Sequence, residues 1–147
     1  MVILSLPTQM QSSTVFITRK AHFNAAHRLF RADWTEEQND TMFGKCANQN
    51  WHGHNFDLYV TVKGTPNPDT GFLFDFKKLK QIMETEVVEK LDHKNLNMDV
   101  DFLQGKMPSV ELLVMEIWKL LEPKLDGCQL HCVKLYETPN NYAEYFG

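Results

Sequence analysis

Three histidines and one cysteine are the residues of this 147-residue sequence with the clearest capacity for chemistry. His52 and His54 flank a single glycine, and His27 lies upstream of them. Three imidazoles can fill three positions of a tetrahedral zinc site and leave the fourth open for water or substrate, as catalytic zinc requires. Cys46 would lie close by but outside the ligand set, where a thiol is free to act as a base or nucleophile. The pattern indicates an enzyme with an open metal site.

Three further positions could carry chemistry, although each has an ordinary alternative. The pair Asp92-His93 would usually form a surface turn, but as a functional pair the carboxylate would orient the imidazole and raise its basicity for proton transfer. Glu137 follows the alternation of the apolar residues before it, so it should face the core, where a carboxylate needs a partner. That partner is either a lysine or arginine, or a ligand with paired N–H donors. Glu111, near the start of a helix, could simply favour the helix dipole.

Length, charge and cysteine content restrict the class of protein. The length predicts one domain with a hydrophobic core, and a formal net charge of −4 without a basic run argues against general nucleic-acid binding. The apolar stretches fall well short of about 18 residues, so no transmembrane helix is expected. The start lacks the basic region of a secretory signal. Cys46, Cys128 and Cys132 cannot all pair within one chain, which favours a reduced cytoplasmic setting.

Several other chemistries are disfavoured. No Gly-rich nucleotide-binding loop, H-E-x-x-H or G-x-S-x-G motif is present, which argues against nucleotide-dependent transfer, zincin proteolysis and esterase chemistry. A second metal site at Cys128, His131 and Cys132 is disfavoured because strand alternation sends the last two side chains to opposite faces.

The first third of the chain is predicted to contain a tail, a strand and a long loop. Residues 1–13 have the composition of a loose tail. Residues 14–29 are rich in β-branched and aromatic residues and predict a long strand, in which Arg19 interrupts the apolar face and could mark a bulge. Residues 30–51 are polar and aperiodic, with a possible short helical turn at 34–39. This loop contains Cys46, and long loops in compact domains are often functional.

Residues 52–64 form the clearest predicted strand, because apolar and polar residues alternate along them. His52 and His54 share the parity of the apolar set, so both should point to one face, as a common metal requires. The turn-rich segment 65–71 is predicted to close a hairpin onto a strand at 72–74.

The second half of the chain predicts two helices followed by two strands. Asp75 is a candidate N-cap for a helix to about Lys90, and Ser109 is one for a second helix that ends before Pro123. Strands are predicted at 129–137 and 142–146. The order ββααββ favours an α+β domain, with an antiparallel sheet and both helices on one face.

The motifs together resemble the 6-pyruvoyl-tetrahydropterin synthase family, over roughly residues 15–147. Each motif is short, but the ordered set is specific. The resemblance implies the tunnelling (T) fold and a single pterin synthase domain at 14–147. It also implies trimers whose sheets close into a barrel and pair as a homohexamer, with active sites at subunit interfaces. The carriers are Phe23-Asn24-Ala25-Ala26-His27-Arg28-Leu29, Phe43-Gly44-Lys45-Cys46, His52-Gly53-His54-Asn55, Leu91-Asp92-His93-Lys94-Asn95-Leu96, Glu137-Thr138 and Tyr145-Phe146-Gly147.

The resemblance further implies that His27, His52 and His54 are the zinc ligands and that Cys46 is the general base. It implies that Asp92 and His93 form a proton-relay pair, and that Glu137 and Glu111 contact the pterin. The implied substrate is 7,8-dihydroneopterin triphosphate, which loses triphosphate while internal proton shifts give the tetrahydropterin. The family run around the second helix resembles Ser-Thr-x-Glu-Asn, whereas residues 108–112 keep the Glu but lack a hydroxyl and an amide.

Two reactions within the family, and one function outside catalysis, remain open from the sequence. A 6-pyruvoyl synthase keeps the side-chain carbons for tetrahydrobiopterin synthesis, whereas a 6-carboxy-5,6,7,8-tetrahydropterin synthase of queuosine biosynthesis also releases acetaldehyde. Five residues separate Cys46 from His52, a spacing that resembles the pyruvoyl enzymes. Members with glutamate in place of the cysteine shorten the side chain toward a folate precursor, and Cys46 argues against that branch. A non-catalytic zinc- or pterin-binding protein is the third possibility.

Overall fold

The computed structural model describes residues 13–147, so residues 1–12 of the predicted N-terminal tail lie outside the described part. Within that part the chain builds one five-stranded sheet with the order β3-β1-β2-β4-β5. β3 runs parallel to β1, and the other neighbours are antiparallel. The strands are β1 (Val15–His27), β2 (His52–Gly64), β3 (Lys94–Asn95), β4 (Gln129–Thr138) and β5 (Asn141–Tyr145).

β1 and β2 form the longest pairing, and its register decides where the histidines lie. The pairing runs without a break from Val15 opposite Gly64 to His27 opposite His52. The predicted bulge at Arg19 is therefore wrong: a polar residue on this face does not require an extra residue in the strand. The register shift of β2 occurs against β4, between Thr61 and Val62.

The helices are α1 (Glu36–Phe43), α2 (Phe76–Met83), α3 (Glu89–Leu91) and α4 (Val110–Leu121), and a π-helical segment at Glu84–Val88 joins α2 to α3. α2, α3 and α4 pack on the face of the sheet that carries the apolar parity, whereas α1 lies in the long loop between β1 and β2. Asp75 and Ser109 accept N-cap hydrogen bonds from Lys77 N and Leu112 N, as predicted. Side chains of α2, α4 and the strands share one core, including the fully buried Phe23, Phe56, Leu79, Met83, Leu113, Ile117 and Leu135.

Three local predictions differ from the structure. Residues 72–74 form no strand; Leu73 instead packs against the core beneath the turn. The long loop contains the two-turn helix α1 rather than a single turn, because Thr35 and Gln38 form a capping box that the polar composition concealed. β3 was not predicted, since a two-residue strand leaves no periodic signal. No helix of residues 13–147 is long and apolar enough to cross a bilayer.

Candidate metal centre and active site

His27, His52 and His54 meet at the paired ends of β1 and β2. One ring nitrogen from each residue lies within 4.8 Å of the others. His27 is directly opposite His52 in the register, and His54 is opposite Ala25, so the three rings project from the same face over one short stretch of sheet. The predicted grouping of the three histidines is confirmed.

A backbone carbonyl fixes the direction of the His27 ring. His27 Nδ1 lies 2.8 Å from the carbonyl oxygen of Pro108, which can only accept, so Nδ1 carries the proton and donates. The lone pair is then on Nε2, which is buried and has no hydrogen-bond partner. His54 Nε2 and both ring nitrogens of His52 are likewise buried and without such partners. Unsatisfied nitrogens facing one another are expected where a metal binds.

The electrostatics also favour a metal over protons. Burial chiefly lowers the pKa of His27 to about 4; the hydrogen bond to Pro108 O opposes this shift, and the neighbouring rings of His52 and His54 contribute to it. Burial likewise lowers the pKa of His52, with His54 adding to the effect. Because only neutral imidazole can ligate, these rings are ready to bind a metal at neutral pH without first losing a proton. The three side chains therefore fit a divalent metal ion.

Glu137 points into this cluster. Its Oε1 lies 3.4 Å from His27 Nε2 and 3.6 Å from His54 Nε2, and 20% of its side chain is exposed. The sequence left open whether its partner would be a cationic side chain or a ligand. The described ion-pair contacts of Glu137 are with these two imidazoles of the cluster rather than with a lysine or arginine.

Cys46 lies on a short 3₁₀ turn, Gly44–Ala47, and is partly exposed. Among residues 13–147, the group of mutually close ligand atoms consists of the three histidines and does not include the Cys46 thiol. Two hydrogen bonds fix the turn beside the end of β1: Leu29 N donates to Cys46 O at 2.9 Å, and Arg28 Nε donates to Ala47 O at 2.7 Å.

Arg28 is a positioning residue that the sequence analysis missed. Its side chain is buried, with 8% of the residue exposed, although it directly follows His27. It anchors the cysteine turn through Ala47, and its guanidinium also pairs with Glu36 of α1 at 2.9 Å. The available signal was an arginine directly after a strand whose inward-facing residues are apolar. A guanidinium that is buried there needs several acceptors, so it is expected to hold neighbouring segments in place.

Asp92 and His93 form the predicted pair. Asp92 Oδ2 lies 2.8 Å from His93 Nδ1, and Asp92 Oδ1 accepts a 2.8 Å hydrogen bond from Asn24 N. These bonds, the backbone bond from Asn24 first, lower the pKa of Asp92 and keep it ionised. His93 adopts φ 58°, and its N–H donates to Asn24 O at 2.6 Å. Its side chain is 78% exposed.

An open cleft of about 470 Å³ connects the two groups, since His54 and His93 both line it. Cys46 is not among the lining residues. Glu111 lies exposed in the first turn of α4. A single chain thus brings the three histidines and Glu137 together and places His93 at the adjoining cleft.

The fold and the site define an α+β protein of the T-fold class with a three-histidine cluster that could bind a metal ion. The chain belongs to the 6-pyruvoyl tetrahydropterin synthase family, whose model matches residues 16–147. A 6-pyruvoyl tetrahydrobiopterin synthase of Pongo abelii is 41% identical, over 89% of this chain and 90% of that protein. A 6-carboxy-5,6,7,8-tetrahydropterin synthase of Bacillus subtilis is 29% identical, over 88% and 83%. The 6-pyruvoyl tetrahydropterin synthase structure of Caenorhabditis elegans superposes with a TM-score of 0.88 at 33% identity, covering 95% and 99% of the two chains.

Proposed function

We propose that this protein is a zinc-dependent 6-pyruvoyl-tetrahydropterin synthase that eliminates triphosphate from 7,8-dihydroneopterin triphosphate. The observation that carries the proposal is the cluster of three imidazoles, one buried and two partly buried, beside the cleft that His93 lines. Relatives named 6-pyruvoyl tetrahydrobiopterin synthase reach a higher identity than the 6-carboxy relative, which supports the pyruvoyl reaction.

His27, His52 and His54 would hold the zinc ion, which imidazole ligands favour. When bound, zinc would polarise the side-chain hydroxyl groups of the substrate and acidify the adjacent carbon. Arg28 holds the turn that bears Cys46 to the chain directly after His27.

The chain's own acid and base groups would move the protons. The Cys46 thiolate removes a proton from the substrate side chain, and His93 returns protons elsewhere. Asp92 is held ionised by Asn24 N–H and so keeps His93 Nδ1 protonated, which leaves Nε2 free to exchange a proton in the cleft. Glu137 would accept the paired N–H donors of the pterin ring, with Glu111 as a second contact.

We also propose that the active enzyme is a cytoplasmic homohexamer built from two trimers. β5 and β3 stand at the two edges of the sheet, and edge strands offer unpaired backbone groups that a neighbouring copy can pair. Assembly would place the active sites at the interfaces between copies, so that residues of more than one copy would complete each site. Light scattering of the purified protein tests this: a monomer of 17.1 kDa would contradict it.

A product assay tests the reaction. Zinc-loaded protein is incubated anaerobically with 7,8-dihydroneopterin triphosphate. The pterin product is identified by mass spectrometry, and acetaldehyde is assayed in the same sample. A pyruvoyl product without acetaldehyde is expected. A carboxy product with acetaldehyde would assign the 6-carboxy reaction to the same site. Bound zinc without turnover would instead indicate a binding protein.

A further inference from the structure

The cleft beside the histidine cluster has a wall with one cationic side chain. Of the residues between 13 and 147 that line it, Lys94 is the only lysine or arginine, and none is acidic. Lys94 is exposed and forms no ion pair within the described part of the chain. By contrast, the ammonium groups of Lys20, Lys90 and Lys134 lie 3.3, 2.9 and 3.3 Å from carboxylate oxygens. The Lys94 ammonium group is therefore available to a ligand in the cleft.

Three carboxamide side chains surround the same cleft. Asn24 and Asn55 are directly opposite each other in the β1–β2 register, so their side chains project from one face of the sheet. Neither of these two side chains hydrogen-bonds to another residue between 13 and 147. The third is Asn95, whose Oδ1 accepts from Asn97 N at 3.0 Å and whose amide N–H groups remain donors. A cation with several N–H donors and no carboxylate beside them favours an anionic ligand.

The backbone places Lys94 in line with the histidine cluster. Ala25 is opposite Lys94 on β3 and opposite His54 on β2, so the three residues form one row across the sheet. Because adjacent strands lie about 4.8 Å apart, the Cα atoms of Lys94 and His54 are about 10 Å apart. Asp92 and Asp99, the carboxylates on either side of Lys94, do not line the cleft and accept backbone N–H groups instead. A ligand that reaches from the cluster along the cleft would therefore meet the Lys94 side chain.

We propose that Lys94 is a substrate-binding residue for the triphosphate group, and that the carboxamides of Asn24, Asn55 and Asn95 donate further hydrogen bonds to it. The identity of the substrate rests on the proposed function, whereas the binding of a polyphosphate anion in the cleft does not.

The physical reason is the charge of the two partners. The formal net charge of the chain is −4, so a polyanion must be held by a local cation rather than by the field of the whole molecule. During elimination the base takes a proton from carbon, and the C–H electron pair forms the double bond. The C–O bond to the triphosphate breaks, and its electron pair stays on the leaving oxygen. The Lys94 ammonium group keeps its proton and stabilises the charge that develops there.

Ligands that differ only in the phosphate groups test the inference. Neopterin triphosphate, neopterin and inorganic triphosphate are titrated calorimetrically into zinc-loaded wild type, Lys94→Gln and Lys94→Arg. Lys77→Gln is the matched control, because Lys77 is an exposed lysine of α2 that also forms no ion pair within residues 13–147. Circular dichroism and elemental analysis check that each variant is folded and keeps its zinc.

We expect the affinity for neopterin triphosphate to fall by about 10- to 100-fold in Lys94→Gln and by less in Lys94→Arg, because arginine keeps the charge. The affinity for neopterin should be the same in all variants, and Lys77→Gln should equal wild type. Equal affinity of wild type and Lys94→Gln for neopterin triphosphate would overturn the inference and leave the proposed function intact. Binding of inorganic triphosphate that depends on Lys94, without binding of either pterin, would support the anion site and contradict the proposed function.

Discussion

The three-histidine cluster and the proposed proton-transfer groups are built in opposite ways. His27, His52 and His54 project from the unbroken β1–β2 register, and His27 is fully buried. Cys46 stands on a 3₁₀ turn, and His93 has a positive φ and a side chain that is 78% exposed. Ligands that must meet within a few ångströms gain from a rigid sheet, whereas groups that pass protons must reach substrate and solvent.

The two regions are nevertheless tied together next to His27. Asn97 exchanges two 2.9 Å hydrogen bonds with the backbone of Arg28, which attaches the segment after His93 to the end of β1. The Arg28 side chain attaches the turn of Cys46 to the same point. The two loops that carry Cys46 and His93 therefore leave these side chains at least partly exposed, while hydrogen bonds at Arg28 hold the loops to the end of β1. Substitutions should accordingly separate metal binding from proton transfer.

The largest effect is expected where the rigid region is broken. His52→Ala removes one imidazole from the cluster, so zinc affinity should fall by more than about 100-fold and turnover should disappear. Elemental analysis and chelator competition measure this, with His131→Ala as the control because that ring packs on Phe16 and Phe146 outside the cluster. Unchanged zinc content in His52→Ala would refute the ligand assignment.

Cys46→Ala should lower the rate of proton transfer and leave metal binding unchanged. Loss of a positioned base costs typically about 10²- to 10⁴-fold in rate, while zinc content and the unfolding transition should stay as in wild type. Cys128→Ala, which removes a partly buried thiol elsewhere, serves as the control. Full activity in Cys46→Ala would remove this thiol from the mechanism.

Asp92→Asn should give a smaller loss. The amide oxygen can still accept from Asn24 N, so the fold is retained, but the charge that orients His93 is gone. We expect kcat to fall by about 10- to 100-fold, at the low end of general acid–base effects, with zinc affinity unchanged. A loss of zinc in this variant would mean that the two regions are not separable.

The smallest expected effect concerns the metal-free protein. The pKa of His27 is about 4 in the folded chain against 6.5 when unfolded, so below pH 6.5 the unfolded chain binds the extra proton. Stability is therefore lost as the pH falls from 6.5 toward 4. Between pH 7 and 5.5 the His27 contribution to the free energy of unfolding should fall by about 1 kcal/mol. Denaturant titration of metal-free wild type and His27→Gln measures it; equal pH dependence in both would contradict the assignment.

Features that depend on alternation along one strand could be predicted from the sequence, whereas contacts between distant segments could not. The parity of His52 and His54 placed them on one face, and the core-side parity of Glu137 was correct, because alternation along a strand is a local property. The Pro108 carbonyl that orients His27 and the Asn24 backbone that holds Asp92 could not be predicted, since both join segments far apart in the chain. Arg28 was missed because its acceptors lie on two other segments.

The most direct test asks whether the loop groups, and not the metal centre alone, move the substrate proton. Zinc-loaded wild type and Cys46→Ala are incubated in D₂O with 7,8-dihydroneopterin triphosphate, and substrate and product are weighed by mass spectrometry. We predict that the wild-type product carries solvent deuterium, and that Cys46→Ala keeps its zinc but forms product and deuterated substrate at least about 100-fold more slowly. Deuterium incorporation by Cys46→Ala at the wild-type rate would contradict the account.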